Sequence, residues 1–174
     1  FYYYLTTDER TGDLMREVLT VDETIARIQP LRHQLIRQDV PVIIRIAPDW
    51  EALASNWMTE WERTGDKRYR DYVLAGMKSI GILPYGLTTH LGYRYDLKTK
   101  QISDMGEPNM QGGGFMFLFG GDQVALELMQ LIDCPEFAKA WNQMCVRDAR
   151  DGYDLNGGYT GARITAYAAN LEHD

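Results

Sequence analysis

Apolar residues in the first half of the chain fall at helical intervals, broken by a short polar turn. Trp50, Leu53, Ala54, Trp57, Met58 and Trp61 stand at i, i+3, i+4, i+7, i+8 and i+11. That spacing places them on one face of an α-helix. Asp49, just after Pro48, suits the N-cap of that helix. Thr64-Gly65-Asp66 interrupts the pattern, and Tyr69, Tyr72, Val73, Gly76, Met77 and Ile80 resume it. Asp66 is placed to cap the second helix. Amphipathic helices joined by so short a connection pack as antiparallel neighbours, an αα-hairpin.

The unit recurs. Thr6-Thr7-Asp8-Glu9-Arg10 lies 58 residues before Thr64-Gly65-Asp66-Lys67-Arg68. It follows the aromatic run FYYYL and precedes a helical pattern reaching about Leu19. Thr7 stands where the later copy has Gly65. Asp133-Cys134-Pro135-Glu136 marks a third copy, with helices expected over 122–132 and 135–148. Pro135 fits a first helical position, and Phe137, Ala140, Trp141, Met144 and Cys145 form its stripe. A fourth begins with Ile164, Tyr167, Ala168 and Leu171 and reaches Glu172-His173-Asp174 where its turn belongs. Stacked hairpins bury each stripe against its neighbours. The expected fold class is mainly all-α: a partial α/α toroid of antiparallel helical hairpins, with minor β-hairpin and strand insertions in long loops. Residues 1–174 are expected to form a single domain, a toroid fragment truncated at both ends. Its open face at Tyr167 and Leu171 calls for cover, from the rest of a parent chain or by self-association.

The links between hairpins are long, at 20–49, 83–121 and 149–159, and long links in compact domains tend to be functional. With each short turn at one end, the links are expected to gather at the other and floor a shared cleft. Within them, VPVIIRI (Val40 to Ile46) predicts a strand. GYRYDLKTKQIS predicts a β-hairpin turning at Asp96 to Lys100. Strand alternation sends Tyr93 and Tyr95 to one face and Arg94 to the other. Arg45, mid-strand, needs a carboxylate, and Asp49 and Glu51 are close in sequence.

Composition narrows the choice. The formal net charge of −7 argues against a nucleic-acid surface. No apolar run approaches the roughly 18 residues of a membrane span. Four Trp and eleven Tyr suit either a packed core or a carbohydrate cleft. Cys134 and Cys145 on one helix would sit roughly 16 Å apart, too far for a disulfide, and read as core residues. QGGGFMFLFGG lacks the Gly-Lys-Ser/Thr ending of a phosphate loop. Its glycines allow close backbone approach, with Phe115, Phe117 and Phe119 packed inward. Asp151, Asp154 and Asn156 suggest a Ca²⁺ loop, but Leu155 and the missing twelfth-position Glu leave an EF-hand incomplete. No metal and no cofactor is expected.

Three strings carry a family likeness: YYYLTTDERTGDLMRE, DWEALASNWMTEWERTGDKRYRDYVLAGMKSI and GARITAYAANL. They resemble the C-terminal α/α toroid of the rhamnogalacturonan exolyase-like family, from Tyr2 to Leu171. The resemblance implies a secreted or periplasmic polysaccharide lyase-like enzyme, with β-sandwich domains preceding the toroid. It implies an acidic polysaccharide as partner, a rhamnogalacturonan or pectin-type uronate polymer cleaved by β-elimination. The isolated fragment is expected to be inactive.

Elimination needs a donor or cation to hold the uronate carboxylate and its enolate-like transition state. It also needs a base for the C5 proton and an acid for the departing O4. The 83–121 link is densest in such groups. His90 is the candidate acid or base, Tyr93 or Tyr95 its partner, and Arg94 the carboxylate clamp. Tyr85 and Tyr95 are candidate substrate contacts, as is Trp50 at its helix start. Asn56, off the apolar stripe beside Ser55, is expected to face the toroid lumen. Tyr153, Asn156, Tyr159 and Arg163 are expected to line the same cleft. The competing reading of the 83–121 link is a hairpin with aromatic cross-strand packing and a surface His. Two other functions fit the scaffold. One is a glycoside hydrolase, with Asp49, Asp122 or Asp151 as its carboxylates. The other is a noncatalytic helical-repeat module binding carbohydrate or protein.

Overall fold

The computed structural model describes residues 2–28, 42–84, 86–87, 92–104 and 120–156. The chain opens with α1 (Tyr2–Thr6) and α2 (Glu9–Glu17), then a 3₁₀ turn (Val18–Thr20) leading into α3 (Val21–Ile28). Strand β1 (Ile43–Ile44) passes through an irregular helical turn (Ile46–Trp50) into α4 (Glu51–Thr64), and α5 (Lys67–Gly81) follows. Strands β2 (Tyr93–Tyr95) and β3 (Ile102–Ser103) precede α6 (Gly121–Leu131) and α7 (Pro135–Asn156). The mainly helical class with a small β insertion is as expected.

The α4–α5 turn forms for local reasons. Gly65 adopts φ 72°, the left-handed conformation that ends a helix. Its amide donates to the Trp61 carbonyl at 2.7 Å. Asp66 then caps α5, its carboxylate accepting from the Arg68 amide at 3.0 Å. Trp50, just before α4, and Leu53, Ala54, Trp57 and Met58 on it are all at most 4% exposed. They share one core with Val73, Met77 and Ile80 of α5 and with Phe137, Trp141, Met144 and Cys145 of α7. Burying each large side chain contributes about 1.5–3 kcal/mol.

Two links are more helical than their sequence suggested. α3 occupies part of the 20–49 link, where Val21 and Ile25 pack against the core. α7 runs on to Asn156, so Tyr153 and Asn156 stand on a helix rather than in a loop. Gly152 is tolerated inside it. β1 is shorter than the strand expected over 40–46, whose residues 40 and 41 lie outside the described set.

The short turns do not share one end. A Cβ built on Gly81, at the end of α5, would lie 2.6 Å from Glu136 of α7. Trp50, at the start of α4, packs on Phe137 with ring centroids 5.9 Å apart. The Asp133–Cys134 turn therefore sits beside the start of α4, while Gly65 lies beyond its other end. The 14 residues of α4 separate them, about 21 Å. The common rim expected for the long links gives way to opposite ends. Burial of Phe137 against Trp50 decides this, because both rings need the same core.

The strands form one antiparallel sheet in the order β1-β2-β3. Ile43 pairs with Arg94 and Ile44 with Tyr93, while Arg94 pairs with Ser103 and Tyr95 with Ile102. The β2–β3 turn falls at Asp96 to Lys100, as the sequence predicts. Asp96 Oδ1 accepts from the Lys98 and Thr99 amides at 2.8 and 2.9 Å. Lys100 closes the turn at φ 61°.

Candidate functional site

Polar groups concentrate where the sheet meets the start of α4. Asp49 does not cap α4 as its position suggested. It turns back on Arg45 and accepts from the backbone amide at 2.9 Å, from Nε at 3.0 Å and from Nη2 at 2.8 Å. This pairing raises the Arg45 guanidinium further, against the opposing effect of burial. Arg45 thus finds its carboxylate in Asp49, and Glu51 is left over.

Glu51 is 3% exposed, and neither of its carboxyl oxygens has a hydrogen-bond partner. It faces the first turn of α6. A Cβ on Gly121 would overlap its carboxyl group, so only glycine fits there. Asp122, the next residue, is 1% exposed. Burial, and then the Asp122 charge, push Glu51 up to about 9. Burial disfavours the anion, and a neighbouring carboxylate disfavours it again.

A second polar cluster fastens the hairpin. The Tyr95 hydroxyl donates to Asp22 Oδ2 at 3.2 Å. Lys100 forms an ion pair with the same oxygen of Asp22, which is 2% exposed. The Lys100 ammonium also lies 5.1 Å from the Tyr72 ring centroid and 5.7 Å from that of Trp57, within cation–π range. One lysine at the hairpin tip thereby joins α3, α4 and α5. On the other strand, the Ile102 amide donates to Ser79 Oγ at 3.0 Å.

The sequence candidates divide. Arg94 is exposed on the sheet and enters no ion pair among the described residues. Tyr93 and Tyr95 face inward, 4% and 1% exposed. Burial raises both phenols above their ordinary range, which favours cross-strand packing over a place in a cleft. Trp50 is a correction: it is fully buried and has no face for a sugar. Gly76 explains this, because a Cβ there would fall inside the Trp50 indole. Asn56 is half-buried. Of the hydrolase carboxylates, Asp49 is taken by Arg45 and Asp122 is buried. His90, Tyr85, Tyr159 and Arg163 lie outside the described residues, as do the side chains of Asp151, Asp154, Tyr153 and Asn156 and the whole of 105–119 and 164–171. Cys134 and Cys145 are buried thiols outside any disulfide.

Sequence reasoning missed Asp22, Lys100 and Glu51 as a group. The Asp22–Lys100 partners stand 78 positions apart, and no local pattern connects them. Glu51 had one signal, its place two residues after Asp49, the carboxylate that Arg45 takes. Among the described residues no helix is long and apolar enough to cross a membrane.

Two comparisons bear on this arrangement. The family model described as PcRGLX-like protein C-terminal alpha/alpha toroid domain matches residues 1–173. The chain is also 33% identical over 187 residues to the uncharacterized protein YetA of Bacillus subtilis (strain 168). That alignment covers 100% of this chain and 22% of the relative, so the chain spans about a fifth of the relative's length.

Proposed function

Since this chain belongs to the rhamnogalacturonan exolyase-like family as its C-terminal α/α toroid domain, we propose that the full-length parent cleaves a rhamnogalacturonan or pectin-type uronate polymer by β-elimination. The observation that supports this most is the state of Arg94. It is an exposed guanidinium, with no competing carboxylate among the described residues, on a hairpin held by Lys100 and Asp22. A planar guanidinium grips a carboxylate through paired charge-assisted bonds, and neutralising the uronate carboxylate acidifies its C5 proton. His90 is the proposed acid or base. Tyr93 and Tyr95 pack the hairpin that carries Arg94. The acidic polysaccharide is the proposed partner and the cell exterior or periplasm the proposed location.

The test uses the full-length parent. It is incubated with rhamnogalacturonan, and absorbance of an unsaturated uronate product is followed over time. Growth of that absorbance with chain cleavage supports elimination. New reducing ends without it would point to hydrolysis and sink the proposal. His90→Ala in the same protein should lower turnover by about 10²-fold, and unchanged turnover removes His90 from the mechanism.

A further inference from the structure

The outer face of the sheet carries polar side chains from all three strands. Arg94 pairs with Ile43 on β1 and with Ser103 on β3, and residues paired across strands share a face. Arg94 and Ser103 are exposed there, while Ile44, Tyr93, Tyr95 and Ile102 fill the inner face. Arg45 follows Ile44 with an extended backbone, φ −92° and ψ 152°. Strand alternation returns it to the outer face. The register, continued by one step, sets it opposite Gly92, which has no side chain. Arg45 and Arg94 are then diagonal neighbours, roughly 7–8 Å apart.

The two guanidiniums differ in what holds them. Arg94 enters no ion pair among the described residues. Asp49 takes the Nε and Nη2 donors of Arg45, and Nη1 has no hydrogen-bond partner among the described residues. Arginine has five N–H donors in a fixed fork, so one edge is left over, on a side chain 29% exposed. The Asp49 contact fixes the orientation of that edge, so less freedom is lost when an anion arrives. The neighbouring acids do not compete for it. Asp96 Oδ1 is spent on the amides of its own turn, and the register sets Asp104 opposite Tyr93, on the other face.

We propose that Arg94, Arg45 and Ser103 form a subsite for two carboxylates of one uronate polymer chain, each guanidinium holding one and Ser103 bonding a sugar hydroxyl. The support is charge complementarity. Planar forks suit carboxylates, and two of them set the direction of a polymer as well as its position. The chain's net charge of −7 repels a polyanion overall, so attraction must come from local guanidiniums. The subsite rests on the acidic polysaccharide proposed above as partner, and not on β-elimination.

The experiment is affinity electrophoresis of the full-length parent through gels holding rhamnogalacturonan or its carboxyl-reduced form, with kcat and KM measured beside it. The native polymer should retard the protein and the carboxyl-reduced polymer should not. Arg45→Lys keeps a cation for Asp49 but presents no second edge. Its apparent affinity should fall about tenfold, the scale of a charge-assisted contact, with KM raised and kcat little changed. Arg45→Gln with Asp49→Asn, which removes both charges, is the second variant should Arg45→Lys not fold. Retardation without any unsaturated product would sink the elimination reading and leave the subsite standing. Unsaturated product, with wild-type retardation and KM in the Arg45 variants, overturns the subsite alone. Equal retardation by both polymers, or by neither, overturns it as well. Self-association that Arg94→Ala abolishes, without retardation by either polymer, would assign the face to a second copy of the chain.

Discussion

Asp8 and Asp66 make the same bond one repeat apart. Each carboxylate accepts from the amide of the arginine two positions on, at 3.1 Å for Arg10 and 3.0 Å for Arg68. The agreement extends through the turn. Thr6 and Thr64 each accept from the following aspartate amide, at 3.3 and 3.2 Å. Thr7 and Gly65 each donate an amide to a carbonyl four residues back, both at 2.7 Å. Within the turn the copies differ at the residue in the left-handed conformation. Thr7 adopts φ 52° with a branched Cβ, where Gly65 adopts φ 72° without one.

That difference predicts a stabilising substitution. The left-handed conformation costs an L-residue roughly 1–2 kcal/mol, and glycine escapes it. Thr7→Gly should raise stability by about 1 kcal/mol in chemical denaturation, the gain trimmed by loss of the Thr7 hydroxyl bond to the Thr6 carbonyl. Gly65→Thr should lower it by a similar amount. Equal stability of all three proteins would show that the turn relaxes around the side chain.

Acid should weaken the same kind of contact. Asp66 is held below the usual carboxylate range, first by the Arg68 side chain and then by its amide. Asp96 is held low by the Thr99 and Lys98 amides. A depressed folded value means stability that is present above the unfolded pKa, about 3.9, and lost as pH falls through the folded value. Tm should therefore drop as pH falls below about 4, and Asp66→Asn with Asp96→Asn should flatten that slope. Because both carboxyls are exposed, the effect is small. An unchanged slope in the double variant would assign the acid sensitivity elsewhere.

The Lys100 contact makes a larger claim. Lys100→Met keeps apolar volume between Tyr72 and Trp57 but leaves Asp22 buried without its cation. Breaking a buried pair in this way destabilises by about 3–5 kcal/mol. Adding Asp22→Asn should recover part of that loss, since the uncompensated charge goes too. The measurement is a double-mutant cycle in urea. A Lys100→Met effect below about 1 kcal/mol would mean that the pair behaves like an exposed one.

Gly76 predicts an intolerance to the smallest side chain. Gly76→Ala drives a methyl into the Trp50 indole, an overpacking cost of about 1–3 kcal/mol, despite the better helix propensity of alanine. Near-UV circular dichroism should change with it, because Trp50 must shift against Phe137. A stable Gly76→Ala protein with an unaltered spectrum would contradict the packing.

Arg94 separates binding from folding. Arg94→Ala in the full-length parent should leave Tm unchanged, since the side chain is exposed. It should lower kcat/KM on rhamnogalacturonan by about 10-fold or more, the scale of a charge-assisted contact. Unaltered kinetics would take Arg94 out of the substrate site.

Much of the fold was legible in the chain, and for local reasons. Stripes at helical spacing mark α4, α5, α6 and the start of α7. Thr64-Gly65-Asp66 specifies its turn through a left-handed glycine and a capping carboxylate. Asp96 to Lys100 specifies a hairpin through an Asx turn. These features depend on backbone geometry and neighbours within about five residues, so they can be read without a partner. α3 was missed because its short apolar pattern sits among charges, and the far end of α7 because the apolar stripe was followed only as far as Cys145 and 149–159 was read as a link.

What tertiary structure decided was how far apart in sequence the touching groups are. Trp50 lies on a stripe that suits either a core or a cleft, and only the empty space at Gly76 sends it inward. Phe137 packing on Trp50 puts the Asp133–Cys134 turn at the opposite end of α4 from Gly65. Asp22 meets Lys100, and Glu51 meets Asp122, because separate helices converge. Periodicity determined which face of each rod is apolar. Burial of those faces against one another determined which charges were trapped beside which, since that depends on crossing and contact in three dimensions.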